Sequence, residues 1–310
     1  MDSQLLIPVV FIIFNRPDTT KIVFEAIRQA KPQTLLVIAD GPRPDHFSDV
    51  EKCEATRSII EGVDWECNVL KNYSDINLGC KVRVSSGLDW VFNNIELAII
   101  LEDDCLPDPT FFRFCSELLN QYADDERIMV ISGNNFQFGR RRTENSYYFS
   151  AFTHCWGWAT WRRAWQHYDI EMKLWPTVRD NGWLKDILHF KYAISYWEYI
   201  FQSVFDDLIN SWAYRWLFSC WMQSGLTILP NINLVSNIGF NTEATHTKSV
   251  DRLANIPTET IIFPLMHPQF VIRDAQSDDF TQKSIFRFGV LSHLKKELKE
   301  IIVRFYNNNL

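Results

Sequence analysis

An α/β protein built on a mostly parallel sheet flanked by helices is the fold class this sequence predicts. Short apolar runs alternate with segments of helical period as far as Ser132, the connections between them are brief, and the runs are apolar on both faces, as inner parallel strands are. In order, Ile7 to Phe14 reads as a strand, Thr19 to Gln29 as a helix, Thr34 to Ala39 as a strand, Asp49 to Glu61 as a helix and Cys67 to Lys71 as a strand. Lys81 to Phe92 follows as a helix, Leu97 to Leu101 as a strand, Thr110 to Tyr122 as a helix and Arg127 to Ser132 as a strand.

Beyond residue 145 the texture changes. Ten of the 12 tryptophans lie between Trp156 and Trp221, in a stretch poor in Gly and Pro that reads as partly helical. Such rings either pack helices on a sheet or wall a cleft. The tail reads as an amphipathic helix from about Thr281 to Arg304, with Ile285, Phe288, Leu291, Leu294, Leu298 and Ile301 at helical spacing and Lys295, Lys296 and Lys299 on other faces. Docking on the body or on a second subunit is the favoured reading of that helix, and peripheral contact with anionic lipid the alternative. The expected organisation is therefore a domain over residues 1–250 and a C-terminal extension over 251–310.

Composition narrows the partners. With 310 residues and 46% hydrophobic content the chain can bury a substantial core, and a net charge of −7 argues against a nucleic-acid binder. The run Leu5 to Phe14 is too short to span a bilayer, contains Pro8, and has no basic residue before it, so neither a membrane span nor a secretory signal is expected there. Seven scattered cysteines without C-x-x-C spacing suggest neither a disulfide framework nor a zinc site, and fit a reducing cytoplasm.

The most informative residues close the strand at Leu97 to Leu101: Glu102, Asp103 and Asp104, followed by a Pro-Asp-Pro stop. Ligands of open α/β sheets gather beyond the carboxyl ends of the strands, and three acids there suit a divalent cation that bridges phosphate oxygens. Asp40 and Arg43 follow the second strand, where a carboxylate can accept from a base or a ribose hydroxyl; Asn15 and Arg16 follow the first, where Arg16 can meet phosphate. Asn77-Leu78-Gly79 enters a helix carrying Lys81 and Arg83, an arrangement suited to anions. Turn chemistry and solvated bases are the alternatives at these three places.

Together, Asn77-Leu78-Gly79, the Glu102-Asp103-Asp104 edge with Asp108-Pro109-Thr110-Phe111-Phe112, and Gly157-Trp158-Ala159-Thr160-Trp161 resemble nucleotide-sugar glycosyltransferases of the GT-A fold, which is Rossmann-like. The resemblance covers about residues 5 to 248. It is nearest to bacterial family-2-like, hemolytic-protein-like transferases, and more distant to the animal N-acetylglucosaminyltransferase that starts complex N-glycan branching. It implies a metal-dependent, inverting hexosyltransferase of surface-polysaccharide synthesis, cytoplasmic or membrane-peripheral, that moves a sugar from a UDP-linked donor to a hydroxyl of a glycan or lipid-linked glycan, with the aromatic half receiving the acceptor. Asp104 would bind Mn²⁺ or Mg²⁺, with His246 as a further ligand. Asp103 and Glu102 would meet ribose, sugar or metal-bound water, Asp40 the base, Asn15 and Arg16 the nucleotide pocket, and Lys81 or Arg83 the diphosphate or sugar. Trp156, Trp158 and Trp212 would stack on sugar rings.

Ala213 departs from the pattern, because it stands where the family places a catalytic acid. Proton removal from an acceptor hydroxyl needs a carboxylate within hydrogen-bond reach, and Asp206 and Asp207 are the nearest substitutes. Two other readings remain open. A sugar nucleotidyltransferase would ordinarily carry a glycine-rich loop after the first strand, and Phe14-Asn15-Arg16-Pro17-Asp18 has no glycine. A non-catalytic carbohydrate-binding protein is consistent with Ala213 and the many tryptophans.

Overall fold

The computed structural model describes residues 4–188, 191–240 and 252–287. Its strands are β1 (Val9–Ile13), β2 (Thr34–Ala39), β3 (Asn68–Tyr73), β4 (Leu97–Glu102), β5 (Cys105–Pro107), β6 (Ile128–Ser132), β7 (Tyr147–Ser150), β8 (Trp158–Trp161), β9 (Leu226–Pro230) and β10 (Val235–Asn237). The helices are α1 (Pro17–Ala30), α2 (Ser48–Ser58), α3 (Gly79–Asn94), α4 (Thr110–Gln121), α5 (Arg162–Trp165), α6 (Trp175–Asp180), α7 (Leu184–Ile187), α8 (Lys191–Phe205), α9 (Ala213–Met222) and α10 (Ala275–Ser284).

Alternation along the first strands divides the core into two layers. Val9, Phe11 and Ile13 of β1, with Leu35, Val37 and Ala39 of β2 and Ile99 and Leu101 of β4, face the apolar layer under α1 and α4. Val10, Ile12, Leu36, Ile38, Ala98 and Ile100 face the other layer, which α3 covers with Val84, Leu88, Val91 and Phe92. Burial on both sides is what an inner parallel strand requires, and β1 is indeed paired in parallel with both β2 and β4.

The full sheet has the order β3-β2-β1-β4-β8-β6-β9-β7. It is mixed α/β and mostly parallel in direction: only β8 and β7 run against the rest. The expected strand-helix alternation is present from β1 to β6, and the aromatic half is partly helical, as expected, with α5 to α9. It supplies β7, β8 and β9 to the main sheet, and β8 inserts antiparallel between β4 and β6. Local chemistry sets the joints. Pro17 opens α1 with its preset φ, and Asp108 accepts from the Thr110 N–H at 2.9 Å to start α4. Gly133 and Gly157 let the chain pass close to Val235, whose side chain lies 2.4 and 2.7 Å from where a Cβ would stand.

Most of the indoles are core. Trp158, Trp165, Trp212 and Trp216 pack together behind α3, with Trp158 stacked on Trp212 at 5.5 Å between centroids. Trp175, Trp197 and Trp221 form a third apolar layer with Phe152, Phe201 and Phe218. Residues beyond 252 return to the body: Ile261 and Leu265 join the layer under α1 and α4, and Arg273 bridges to Phe149 of β7. Helix α10 starts earlier than the expected Thr281, because Asp274 caps it by accepting from the N–H groups of Gln276 and Ser277. It ends at Ser284, with Ile285 to Arg287 no longer helical, and residues 288–304 of the expected helix lie outside the described residues. No helix among the described residues is long and apolar enough to cross a membrane.

His154 is buried beside the third layer, edge-on to Phe136 at 4.6 Å, and burial lowers its pKa to about 3. The folded protein therefore holds it neutral where the unfolded chain protonates it, so stability present above pH 6.5 is lost as pH falls toward 3. Replacing His154 with Leu should remove about 2 kcal/mol of the stability lost between pH 7 and 5. Parallel urea titrations at the two pH values check this; equal losses in both proteins would contradict it.

Candidate functional site: an acidic cluster at the carboxyl edge of the sheet

Parallel pairing brings the carboxyl ends of β2, β1 and β4 to one edge, and Glu102 ends β4 in register with Ile12. Asp103, largely buried, accepts from the Phe14 N–H at 3.0 Å, which ties the end of β4 to the end of β1. Asp104 then turns the chain into β5, which pairs antiparallel with β10. Its carbonyl accepts from the Ile238 N–H at 2.8 Å, and its carboxylate takes the Asn237 amide at 3.3 Å and the Arg16 guanidinium at 2.7 Å. Gly239 lies directly over that ion pair: a Cβ there would stand 2.2 Å from Asp104 Oδ2 and 2.6 Å from Arg16 Nη1. The structure brings Arg16 together with the acid triplet.

The cluster carries more negative charge than its surroundings balance. Burial first, then Asp104 and Asp103, push Glu102 up to about 8, and burial with Asp104 raises Asp103. Arg16 makes the one ion pair to the triplet among the described residues. Cys80 and Cys155 lie near Glu102, and burial first, then that carboxyl, push both thiols up. No group of three His, Cys, Asp or Glu side chains among the described residues closes a metal cage. The donor set nevertheless suits Mn²⁺ or Mg²⁺, which takes one or two carboxylates and fills its sphere with phosphate and water oxygens.

Several expected ligand-facing residues have other work. Both oxygens of Asp40 are engaged, by the N–H groups of Gly41, Leu78 and Gly79 at 2.9 to 3.0 Å and by the Asn77 amide at 3.2 Å. Asp40 thus fastens the loop before α3, and the expectation that it meets a base is corrected. Arg83 is likewise corrected: it is buried and donates to the Ala39 carbonyl at 3.1 Å and to the Asn72 side chain at 2.6 Å, behind the edge instead of toward a diphosphate. Asn15 keeps its place at the edge, with its amide donating to Asp49 at 2.8 Å.

Lys81 sits on the first turn of α3 and pairs with Asp207 at 2.6 Å; buried Arg215 donates to the same carboxylate at 2.8 Å. Lys81 first, and Arg215 after it, hold the Asp207 carboxyl below the usual range, which weakens it as a base. Asp206 accepts from Gln202 at 2.9 Å, one helical turn back on α8. Asp207 thus bridges α3 to the α8–α9 connection, with Asp206 beside it just past the end of α8. Trp158 and Trp212 are buried and cannot stack on a sugar, whereas Trp156 stays partly exposed, edge-on to Phe136 and Phe240. His246 lies outside the described residues.

Four residues at the edge escaped the sequence reading. Asp49 is buried and chelates Arg43, whose Nε donates at 2.6 Å, and this pairing brings its pKa down to about 2. Its place at the start of α2 resembles an ordinary first-turn acid. Arg57 donates to the carbonyls of Asp40 and Ser74 at 3.0 and 2.6 Å from the last turn of α2, with no local signal. Asn237 and Gly239 reach Asp104 from more than a hundred residues away; only the Asn-x-Gly spacing hinted at a turn.

No protein-family model matches this chain, and no curated protein matches it. Among solved structures it is similar to a mannosyltransferase, PcManGT, from Pyrobaculum calidifontis in complex with GDP-Man and Mn²⁺, at 14% identity and TM-score 0.35 over 49% of this chain and 44% of that one. It is similar to S. aureus TarS 1–349 at 12% identity and TM-score 0.33, over 51% of this chain and 47% of that one. A 4-diphosphocytidyl-2C-methyl-D-erythritol synthase from Anaerococcus prevotii shows 10% identity and TM-score 0.32, over 54% of this chain and 77% of that one. The chain spans less than half the length of the first two. At this distance the chemistry must be read from the site's own residues.

Asp40→Asn should cost about 1–3 kcal/mol, because one amide N–H₂ would face backbone donors now satisfied by an oxygen. Urea unfolding checks the loss, and hydrogen exchange should place the extra opening at residues 77–81. An unchanged midpoint would contradict the fastening role.

Proposed function

We propose that this protein is a metal-dependent glycosyltransferase that moves a sugar from a nucleoside diphosphate donor, UDP-linked in the simplest case, to a hydroxyl of a glycan or related acceptor. The observation that carries this reading is the under-neutralised triplet Glu102-Asp103-Asp104, set beside Arg16 at the carboxyl edge where α/β sheets bind nucleotides.

Asp104 and the donor's phosphate oxygens would hold Mn²⁺ or Mg²⁺, with His246 as a further candidate ligand, and the ion would supply charge neutralisation to the departing diphosphate. The remaining work belongs to the chain. Arg16 offers a planar donor pair to phosphate, Asn15 and Asp103 line the nucleoside side, and Glu102, held mostly protonated at neutral pH in the free protein, can both donate to and accept from a sugar hydroxyl. Lys81 stands at the rim, where Asp207 and Arg215 position it. Of Trp156, Trp158 and Trp212, Trp156 alone is partly exposed and could offer a face to a sugar. In transfer, the bond from the anomeric carbon to the phosphate oxygen breaks as the acceptor oxygen bonds to that carbon, and the hydroxyl proton passes to a carboxylate base, for which Asp206 and Asp207 are the candidates.

A nucleotidyltransferase of the same fold class is disfavoured by the edge itself: α1 begins at Pro17, directly after Arg16, with no glycine-rich loop to wrap a triphosphate. Membrane-peripheral action through the C-terminal segment remains part of the proposal.

Asp104→Ala should abolish Mn²⁺-dependent stabilisation by nucleotide sugars while the melting temperature without ligand stays near that of the native protein. A thermal-shift panel of UDP- and GDP-sugars with Mn²⁺, followed by assay of released nucleoside diphosphate, checks both binding and turnover. Metal-dependent binding that survives in Asp104→Ala would contradict the assignment; binding without any turnover would favour a carbohydrate-binding protein.

A further inference from the structure

We propose that Arg16 is the resident counter-ion of the site: it occupies Asp104 in the free protein and yields that carboxylate to a divalent cation when a diphosphate draws the guanidinium away. Metal and diphosphate then bind cooperatively. The inference rests on the glycosyltransferase reading above but goes beyond it, because it assigns Arg16 to the coupling between the two ligands.

Three observations carry it. Arg16 Nη1 sits 2.7 Å from Asp104 Oδ2, the side chains of both residues being 18% exposed, so the pair is reachable from solvent yet shielded enough to matter. Arg16 makes the one ion pair to the triplet among the described residues, so this guanidinium is the cation a metal at Asp104 has to replace. Gly239 closes over the pair so tightly that a Cβ there would stand 2.2 Å from Asp104 Oδ2 and 2.6 Å from Arg16 Nη1, which confines the guanidinium and the carboxylate against the backbone. A metal ion alone must displace Arg16 from Asp104 and forfeit that ion pair with nothing gained in exchange. With a diphosphate present, the displaced guanidinium gains two phosphate oxygens in the planar geometry it prefers. The free energy that Arg16 withholds from the lone metal is returned when both ligands bind, and linkage makes the effect reciprocal.

The test measures Mn²⁺ affinity by electron paramagnetic resonance of the free ion, with and without saturating inorganic pyrophosphate, in the full-length chain. In the native protein Mn²⁺ alone should bind weakly and pyrophosphate should tighten it. Arg16→Gln and Arg16→Met should each bind Mn²⁺ alone at least about fivefold more tightly than the native protein, and their gain from pyrophosphate should shrink by a similar factor. Arg16→Lys, which keeps the charge, should retain most of the coupling; a merely structural role would not sort the variants by charge. Variants that bind Mn²⁺ alone no better than the native protein, in a protein whose Mn²⁺ binding still depends on Asp104, overturn the inference and leave the glycosyltransferase reading standing. Mn²⁺ binding that is absent throughout, or indifferent to Asp104→Ala, overturns both.

Discussion

Three consecutive carboxylates at the tip of a strand buried on both faces are the constraint around which this molecule is arranged. The strand β4 cannot shift, because its side chains fill two apolar layers at once, and its end therefore delivers Glu102, Asp103 and Asp104 to one fixed place. Carboxylates so placed repel one another and lose hydration, which raises Glu102 and Asp103. Everything near them either relieves that charge or leaves room for something that will: Arg16 pairs with Asp104, Phe14 donates its N–H to Asp103, and Gly239 approaches without a side chain.

The polar residues around this edge divide by whether their valence is spent. Asp40, Asp49, Arg57 and Arg83 have most of their hydrogen bonds directed into the protein, and together they brace the loops after β2 and β3. Lys81 and Asp207 join α3 to the connection between α8 and α9. Partial exposure remains with Arg16, Glu102 and Asp104, and the triplet keeps more carboxyl groups than the one guanidinium can pair. A rigid frame of satisfied polar groups holding a few frustrated ones is the arrangement a pre-organised binding site needs.

Much of the frame was legible because it is local. Runs such as Thr34–Ala39 and Leu97–Glu102 announce inner strands through continuous apolar side chains, and the acid triplet is contiguous in the chain. What failed to show depends on contacts distant in sequence. Nothing in Trp158–Trp161 says that it inserts between β4 and β6, and its neighbour Trp212 looks as suited to a sugar as to the core until the packing is known. Asp40 and Asp103 are both acids at strand ends, yet one is saturated by the loop before α3 and the other accepts one backbone N–H and is raised. Residue type cannot separate them, because the difference lies in donors that other segments bring.

The central claim is that Asp104 anchors a divalent cation shared with a diphosphate. A crystal structure of the native chain grown with Mn²⁺ and UDP tests it most directly. The account predicts an anomalous peak about 2.1 Å from an Asp104 carboxylate oxygen, with phosphate oxygens completing the sphere and Arg16 turned from Asp104 toward the diphosphate. A diphosphate bound at this edge with Arg16 still seated on Asp104 and no ion beside it would contradict the claim.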